Sequence, residues 1–187
     1  MVGDWFETIA DVEATAEEAD RLGAELLSWL VEEGVVLPEP TDCTLGGSGH
    51  PPGPHYARAT IEPCDFLLHR DTNGLRVLTG RSVFYSMGLD RVVCPQCEAA
   101  VSDERNDIFS SFFSPAIDEW YSAGGTGTRA CPHCGKPVGL NEWEWSPPWG
   151  FGYLGFEFWN WPLLDPGFVA EMSHRLGHRT VRPCGKV

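Results

Sequence analysis

Cys94-Pro95-Gln96-Cys97 and Cys131-Pro132-His133-Cys134 each set two thiols at positions i and i+3 of a short segment. Two such segments supply four thiolates, the number that a tetrahedral structural Zn²⁺ takes. Cysteines at this spacing project to one side of a tight turn, where main-chain N–H groups donate to the sulfurs and spread their charge. Proline after the first cysteine presets that turn. Gly135 follows the second pair, at a position that often takes positive φ. Glu98 stands there after the first pair, which makes it the less ideal half. Four thiolates around Zn²⁺ carry a formal charge of about −2, and Arg91, Arg129 and Lys136 lie near in sequence to offset it. A shell filled by four cysteines leaves no open position, so Cys94, Cys97, Cys131 and Cys134 point to a structural metal and not to metal-assisted chemistry.

Other reactive residues are weaker candidates. Cys43, His50, His55, Cys64 and His69 fall within 27 residues and offer ligands for a second metal or a catalytic set. Their spacing matches no zinc pattern, and a glycine- and proline-rich loop commonly carries exposed histidines. Cys64 and Arg70 have a Cys-x₅-Arg spacing, but the bulky residues between them cannot form the converging N–H cradle that a phosphate needs. His69-Arg70-Asp71 lacks the glycine-rich loop and asparagine of a kinase site. No Gly-x₄-Gly-Lys-Ser/Thr segment exists. Glu157 sits between Phe156 and Phe158. A carboxyl in apolar surroundings has a raised pKa and can serve as a general acid. It needs a second polar group, for which Asp118, Glu119, Glu142 and Glu144 are available. Trp143, Trp145 and Trp149 would stack on a sugar or grip a partner if exposed; as three of eight tryptophans they are expected in the core.

The balance of 13 basic against 27 acidic residues gives a net charge of −14. It is uneven. The first 40 residues hold eleven acids and one arginine, whereas Ser173 to Val187 hold Arg175, Arg179, Arg182, Lys186 and no acid. An acidic chain repels phosphate backbones, which disfavours nucleic acid as a partner and leaves a protein as the expected one. A nucleic-acid role would require the four basic tail residues on one face. Seven cysteines leave Cys43, Cys64 and Cys184 outside the two turns. The acidic opening Met-Val-Gly-Asp-Trp-Phe-Glu lacks a secretory pattern, and no apolar run approaches the ~18 residues of a membrane span. A reducing cytoplasm is the expected location.

The elements that must position these groups follow from periodicity. Asp4 to Val12 reads as a strand. Thr15-x-x-Glu18 is a capping box, and Ala19, Leu22, Leu26, Trp29 and Leu30 form an apolar stripe that Glu33-Gly34 ends. Residues 38–56 are rich in Pro and Gly and read as loop. Arg76-Val77-Leu78 and Val83-Phe84-Tyr85 around Thr79-Gly80-Arg81-Ser82 read as a hairpin, and Arg91-Val92-Val93 as a strand entering the first cysteine turn. Ser114-Pro115 opens a short helix with Ser as cap, closed by Gly124-Gly125. Gly150 to Trp161 reads as a strand buried on both faces, with Leu154, Phe156 and Phe158 one way and Tyr153, Glu157, Trp159 and Trp161 the other. Asp165-Pro166 starts a helix ending at Gly177, and a last strand spans His178 to Val187.

The paired Cys-Pro-x-Cys turns resemble the zinc-ribbon superfamily over residues 91–140, with an insert longer than the compact ribbon has. The wider layout, with Gly155-Phe156-Glu157-Phe158-Trp159-Asn160-Trp161 and Gly185-Lys186 near the end, is similar to small bacterial zinc-ribbon-containing proteins. Some of those carry a transporter-ATPase label, for which this chain has no nucleotide motif. The expectation is an α+β fold in one domain spanning residues 1–187. Helices pack on a mainly antiparallel sheet, and a zinc-binding region at 91–140, itself holding a helical insert, lies between two strand–helix–strand regions. The expected function is a cytoplasmic zinc-stabilised binding or adaptor protein. The alternative is a small hydrolase acting through Glu157 or through a His50/His55 loop site.

Overall fold

The computed structural model describes residues 3–102 and 108–187. The chain runs β1 (Trp5–Asp11), α1 (Ala16–Glu32), β2 (Thr41–Thr44), β3 (Gly47–Gly49) and β4 (Gly74–Phe84). It continues through β5 (Arg91–Val93), β6 (Ala100–Ser102), α2 (Ser114–Ala123), β7 (Arg129–Ala130), β8 (Pro137–Val138) and β9 (Glu144–Ser146). It closes with β10 (Gly150–Trp159), α3 (Pro166–Leu176), β11 (Thr180–Val181) and β12 (Cys184–Lys186). This is an α+β fold. The main sheet is antiparallel in the order β11-β1-β10-β4, with β12 also on β1.

Strand alternation gives the sheet two different faces. Ile9, Leu75, Leu154, Phe156 and Phe158 face a core shared with α1 and α3, where Leu22, Leu26, Leu30, Phe168 and Met172 are buried. The α1 stripe thus docks as its spacing predicts. Its start is the expected capping box, with the Glu18 carboxylate accepting from the Thr15 N–H at 3.2 Å and from the Thr15 hydroxyl at 2.8 Å. Asp165 caps α3 by accepting from the Gly167 and Phe168 N–H groups, and Gly177 ends it at φ 73°.

The segment from β5 to β9 packs on the opposite face around a second core that includes Val92, Phe113, Trp120, Trp143, Trp145 and Phe151. Trp143 and Trp145 are therefore core residues. β5 pairs with β6 and β9, and β7 with β8. Asn141 ties this segment to the sheet: its amide donates to the Phe151 carbonyl at 2.6 Å and accepts from the Phe151 N–H at 2.9 Å.

Several expectations are corrected. Residues 76–85 do not form a hairpin. Residues 76–84 belong to the single strand β4, whose register with β10 breaks between Gly152 and Leu154, and Tyr85 follows the strand. Gly80, at φ 99°, takes up a bulge and not a turn. The 38–56 loop contains the hairpin β2–β3, closed by Gly46 at φ 83° and by the Thr44 hydroxyl donating to the Gly47 carbonyl at 2.6 Å. Ser114 does not cap α2, because a π-helical turn at Phe109–Phe113 runs straight into it; Phe112 and Phe113 set this start by packing edge-on against Trp143. Trp161 points away from Glu157. β10 stops at Trp159, Asn160 turns the chain at φ 53°, and Trp161 packs on Phe158 in the first core. The last strand is two strands, split around Pro183, which has no N–H to give a ladder. Residues 103–107, which are polar in sequence, lie outside the described residues.

Candidate functional site

Two places concentrate chemistry: the cysteine turns and a cavity on the second face of the sheet. The two turns have matching main-chain geometry. Glu98 N–H donates to the Cys94 carbonyl at 2.9 Å, and Gly135 N–H to the Cys131 carbonyl at 2.8 Å. Cys94 N–H donates to Ala99 at 3.0 Å and Cys131 N–H to Lys136 at 2.8 Å. In each turn the N–H two residues on donates to the first sulfur at 3.4 Å, from Gln96 and from His133. Gly135 has φ 72°, and Glu98 adopts φ 59° at the equivalent position, a conformation that non-glycine residues rarely take. The sequence reading of Glu98 as the less suitable residue is thus given a backbone cause.

The 33 residues between the turns do not keep them apart. All four Sγ atoms lie within 4.8 Å of one another. Cys94 and Cys134 sulfurs are 4.0 Å apart, and those of Cys97 and Cys131 3.9 Å. Sulfurs at ~2.3 Å from a shared tetrahedral ion would stand about 3.8 Å apart, so the four could hold one metal ion. Cys94 and Cys131 are buried, Cys134 is half-buried and Cys97 is exposed. Burial pushes the Cys131 thiol up, but N–H groups of Cys134 and His133 help to outweigh it and bring its pKa to about 7. For Cys97 the Ala99 N–H acts downward, while burial and the other three sulfurs push it up to about 12. Four thiols this close resist joint ionisation unless a cation shares them. Of the expected counter-charges, Arg129 is turned to Glu119 at 2.8 Å, and Lys136 reaches across to Gln96 of the other turn at 3.5 Å.

Among the described residues this is the one cluster of metal-ligating side chains that closes to ligand distance. His50 and His55 each turn Nδ1 to a main-chain carbonyl at 2.9 Å, of Leu37 and of Glu33. Cys43 is buried against Gly74, and Cys64 is half-buried. Among the described residues, Cys43, His50, His55 and Cys64 belong to no cluster of three or more metal-ligating side chains.

The cavity, of about 640 Å³, opens where the second sheet face meets α2. Phe6 and Thr8 come from β1, Leu78, Ser82 and Phe84 from β4, and Glu157 and Trp159 from β10. Ile117, Asp118 and Tyr121 face it from α2. Alternation explains the set: Thr8 stands opposite Glu157, and Glu157 opposite Arg76. Trp159, Phe6, Tyr85 and Trp149 form a continuous run of ring contacts, with centroids 5.4, 6.2 and 5.8 Å apart along it. The Trp159 indole N–H donates to Glu157 Oε2 at 2.5 Å. Burial raises the Glu157 pKa, against the opposing effects of that hydrogen bond and of Arg76. Of the four acids named as companions for Glu157, Asp118 lines the same cavity, whereas Glu119 pairs with Arg129, and Glu142 accepts from the Gly139 N–H. The aromatic wall was missed. The available signal was the outward-facing alternation of β1, which sets Phe6 and Thr8 on one row.

The three arginines of the basic tail are occupied. Arg182 donates to buried Glu7, Arg179 lies 3.9 Å from Glu13, and Arg175 pairs with Glu171 at 2.9 Å while covering the Trp29 ring. The acidic start and basic end of the chain thus meet across β1. His178, which sequence reasoning did not single out, contacts the buried Asp11 carboxylate at 2.9 Å, and that carboxylate also accepts from the Glu13 and Ala14 N–H groups. Comparison of the chain with family models, with curated proteins and with solved structures gives no match. No helix among the described residues is long and apolar enough to cross a membrane.

Proposed function

We propose that Cys94, Cys97, Cys131 and Cys134 hold one structural Zn²⁺ and that the chain is a cytoplasmic binding or adaptor protein. The sulfur geometry carries this reading: four converging thiols at tetrahedral spacing, from two turns with the same hydrogen-bond pattern. Zinc suits an all-sulfur tetrahedral shell, and four cysteines complete it. Cys43, Cys64 and Cys184, which lie outside the metal set and form no disulfide, fit a reducing compartment. The cavity contains none of the four cysteines, so metal and recognition surface are separate. A protein is the expected partner and nucleic acid the less fitting one, since Arg175, Arg179 and Arg182 are already engaged by carboxylates. Residues 91–140 then act as a metal-held region within one α+β domain covering residues 1–187. Elemental analysis of protein purified without chelator is expected to give one zinc per chain. Cys131→Ser is expected to lower the melting temperature more than Cys43→Ser does. Absence of zinc, or equal effects of the two substitutions, refutes the metal reading.

One observation favours a second reading. Glu157 and Asp118 share a cavity, and Glu157 is partly desolvated. A small hydrolase would use the protonated Glu157 as general acid and Asp118 as its companion. A screen of ester, phosphate and glycoside substrates on the wild type and on Glu157→Gln separates the readings. Turnover that the variant loses establishes the hydrolase and ends the non-enzyme reading.

A further inference from the structure

We propose that the cavity between the second sheet face and α2 is a binding site for an alkylated ammonium group. The inference rests on the binding-protein reading and names the chemistry of the ligand. Three observations converge on it. The first is shape: about 640 Å³ lies within the ~300–1,000 Å³ range of small-ligand sites. The second is the wall. Trp159 and Phe6 are each 6% exposed and belong to the floor, whereas Tyr85 and Tyr121, at 44% and 55%, stand at the rim. Aromatic faces arranged around a hole attract a cation through their quadrupoles, most strongly where water is excluded.

The third observation is charge. Glu157 and Asp118 line the cavity, and no Lys, Arg or His does so among the described residues. Arg76, directly opposite Glu157 on β4, acts on it through charge from outside the cavity, with its guanidinium extended to the Leu45 carbonyl at 3.4 Å. Arg81 lies over Trp120 and donates to the Tyr153 hydroxyl at 2.9 Å. Neither arginine lines the cavity. Trp159 holds one Glu157 oxygen, which fixes the carboxylate against the floor. An anion would meet two carboxylates and no donor cation. A neutral apolar molecule would leave a partly buried carboxylate with no counter-charge inside the cavity, an arrangement that costs free energy. An ammonium bearing methyl or methylene groups satisfies both the rings and the acids. It is either a free small molecule or the methylated end of a lysine side chain.

The test uses the 187-residue chain loaded with zinc, with choline as the cation and neohexanol as its uncharged carbon isostere. Calorimetry and tryptophan fluorescence are expected to show choline binding about ten-fold or more tightly than neohexanol. Glu157→Gln is expected to remove most of that preference. Tyr121→Ala, at an exposed rim position on α2, is expected to weaken choline binding several-fold without altering the melting temperature. This second variant keeps the test decisive if Glu157→Gln fails to fold. A trimethyl-lysine peptide binding more tightly than choline identifies the protein-borne source, and equal or weaker binding the free one. Equal binding of choline and neohexanol overturns the proposal, as does no choline binding by folded protein. Zinc content and hydrolysis are measured on the same samples. Loss of zinc there with cation preference intact removes the metal reading alone, and hydrolysis of a bound cationic substrate removes the non-enzyme reading alone.

Discussion

Gly155→Ala tests how the cavity floor is built. Gly155 lies on the cavity-facing row of β10, between Tyr153 and Glu157. A Cβ built there would stand 2.3 Å from Phe84 Cε1 and 2.7 Å from its Cζ. Ordinary carbon contacts begin near ~3.5 Å, so the ring must retreat by about 1 Å. Phe84 is anchored by its pairing with Gly150 and is 5% exposed, and the side on which it has room is the cavity that it lines. Overpacking of this kind costs about 1–3 kcal/mol. In a chain of this size, each 1 kcal/mol lowers the melting temperature by ~2–4 °C, which gives a fall of about 2–12 °C. The displaced ring also narrows the cavity, so choline affinity is expected to drop with stability. Thermal melts and calorimetry on one preparation read both. A variant with an unchanged melting temperature and unchanged choline affinity would refute the reasoning, because the Phe84 ring would then not occupy the space that glycine leaves.

Further outcomes are expected at other sites. Leu26→Ala, at 4% exposure beneath α1, should cost about 2–5 kcal/mol in denaturant titration, and an unchanged midpoint would place that face at the surface. The raised pKa of Glu157 means that the folded state holds its proton longer than the unfolded state does. Stability from this group therefore falls as pH rises from its ordinary value of 4.5 toward the raised one, and Glu157→Gln should flatten that part of the profile. Asp4 has the opposite sign. The Thr72 hydroxyl, then Asn160, and also Arg70 hold its pKa below the ordinary 3.8, so its contribution is present above that value and lost as pH falls through the lowered one. Asp4→Asn should shallow the acid limb of the melting profile.

Local signals carried much of the fold. The Thr15–Glu18 box, the Leu22–Leu26–Trp29 stripe and the Asp165 and Gly177 ends of α3 were legible because a helix writes its boundaries within a few residues of itself. The cysteine turns were legible for the same reason. Gly80 misled because a bulge and a hairpin turn use the same residue, and only the partner strand β10 tells them apart. Trp161 misled because strict alternation continues only while the strand does, and Asn160 ends it with a positive φ. Glu157 was recognised as a carboxyl in apolar surroundings. Its cavity was not, since Asp118, Phe6 and Tyr85 come from three distant parts of the chain. The net-charge asymmetry was plain, but its resolution through Glu7, Glu13 and their arginines depends on strand neighbours that no local pattern states.

The placement of β1 between β10 and the two strands β11 and β12 has a consequence for synthesis. One edge of the first strand is completed by Thr180–Val181 and Cys184–Lys186, almost the whole length of the chain away. While a ribosome makes the intervening residues, that edge keeps bare N–H and C=O groups that a neighbouring nascent chain can pair with. Glu7 waits as well, a carboxylate whose arginine has not yet emerged. Until residues 180–186 dock, the main sheet lacks both of the strands that cover this edge of β1.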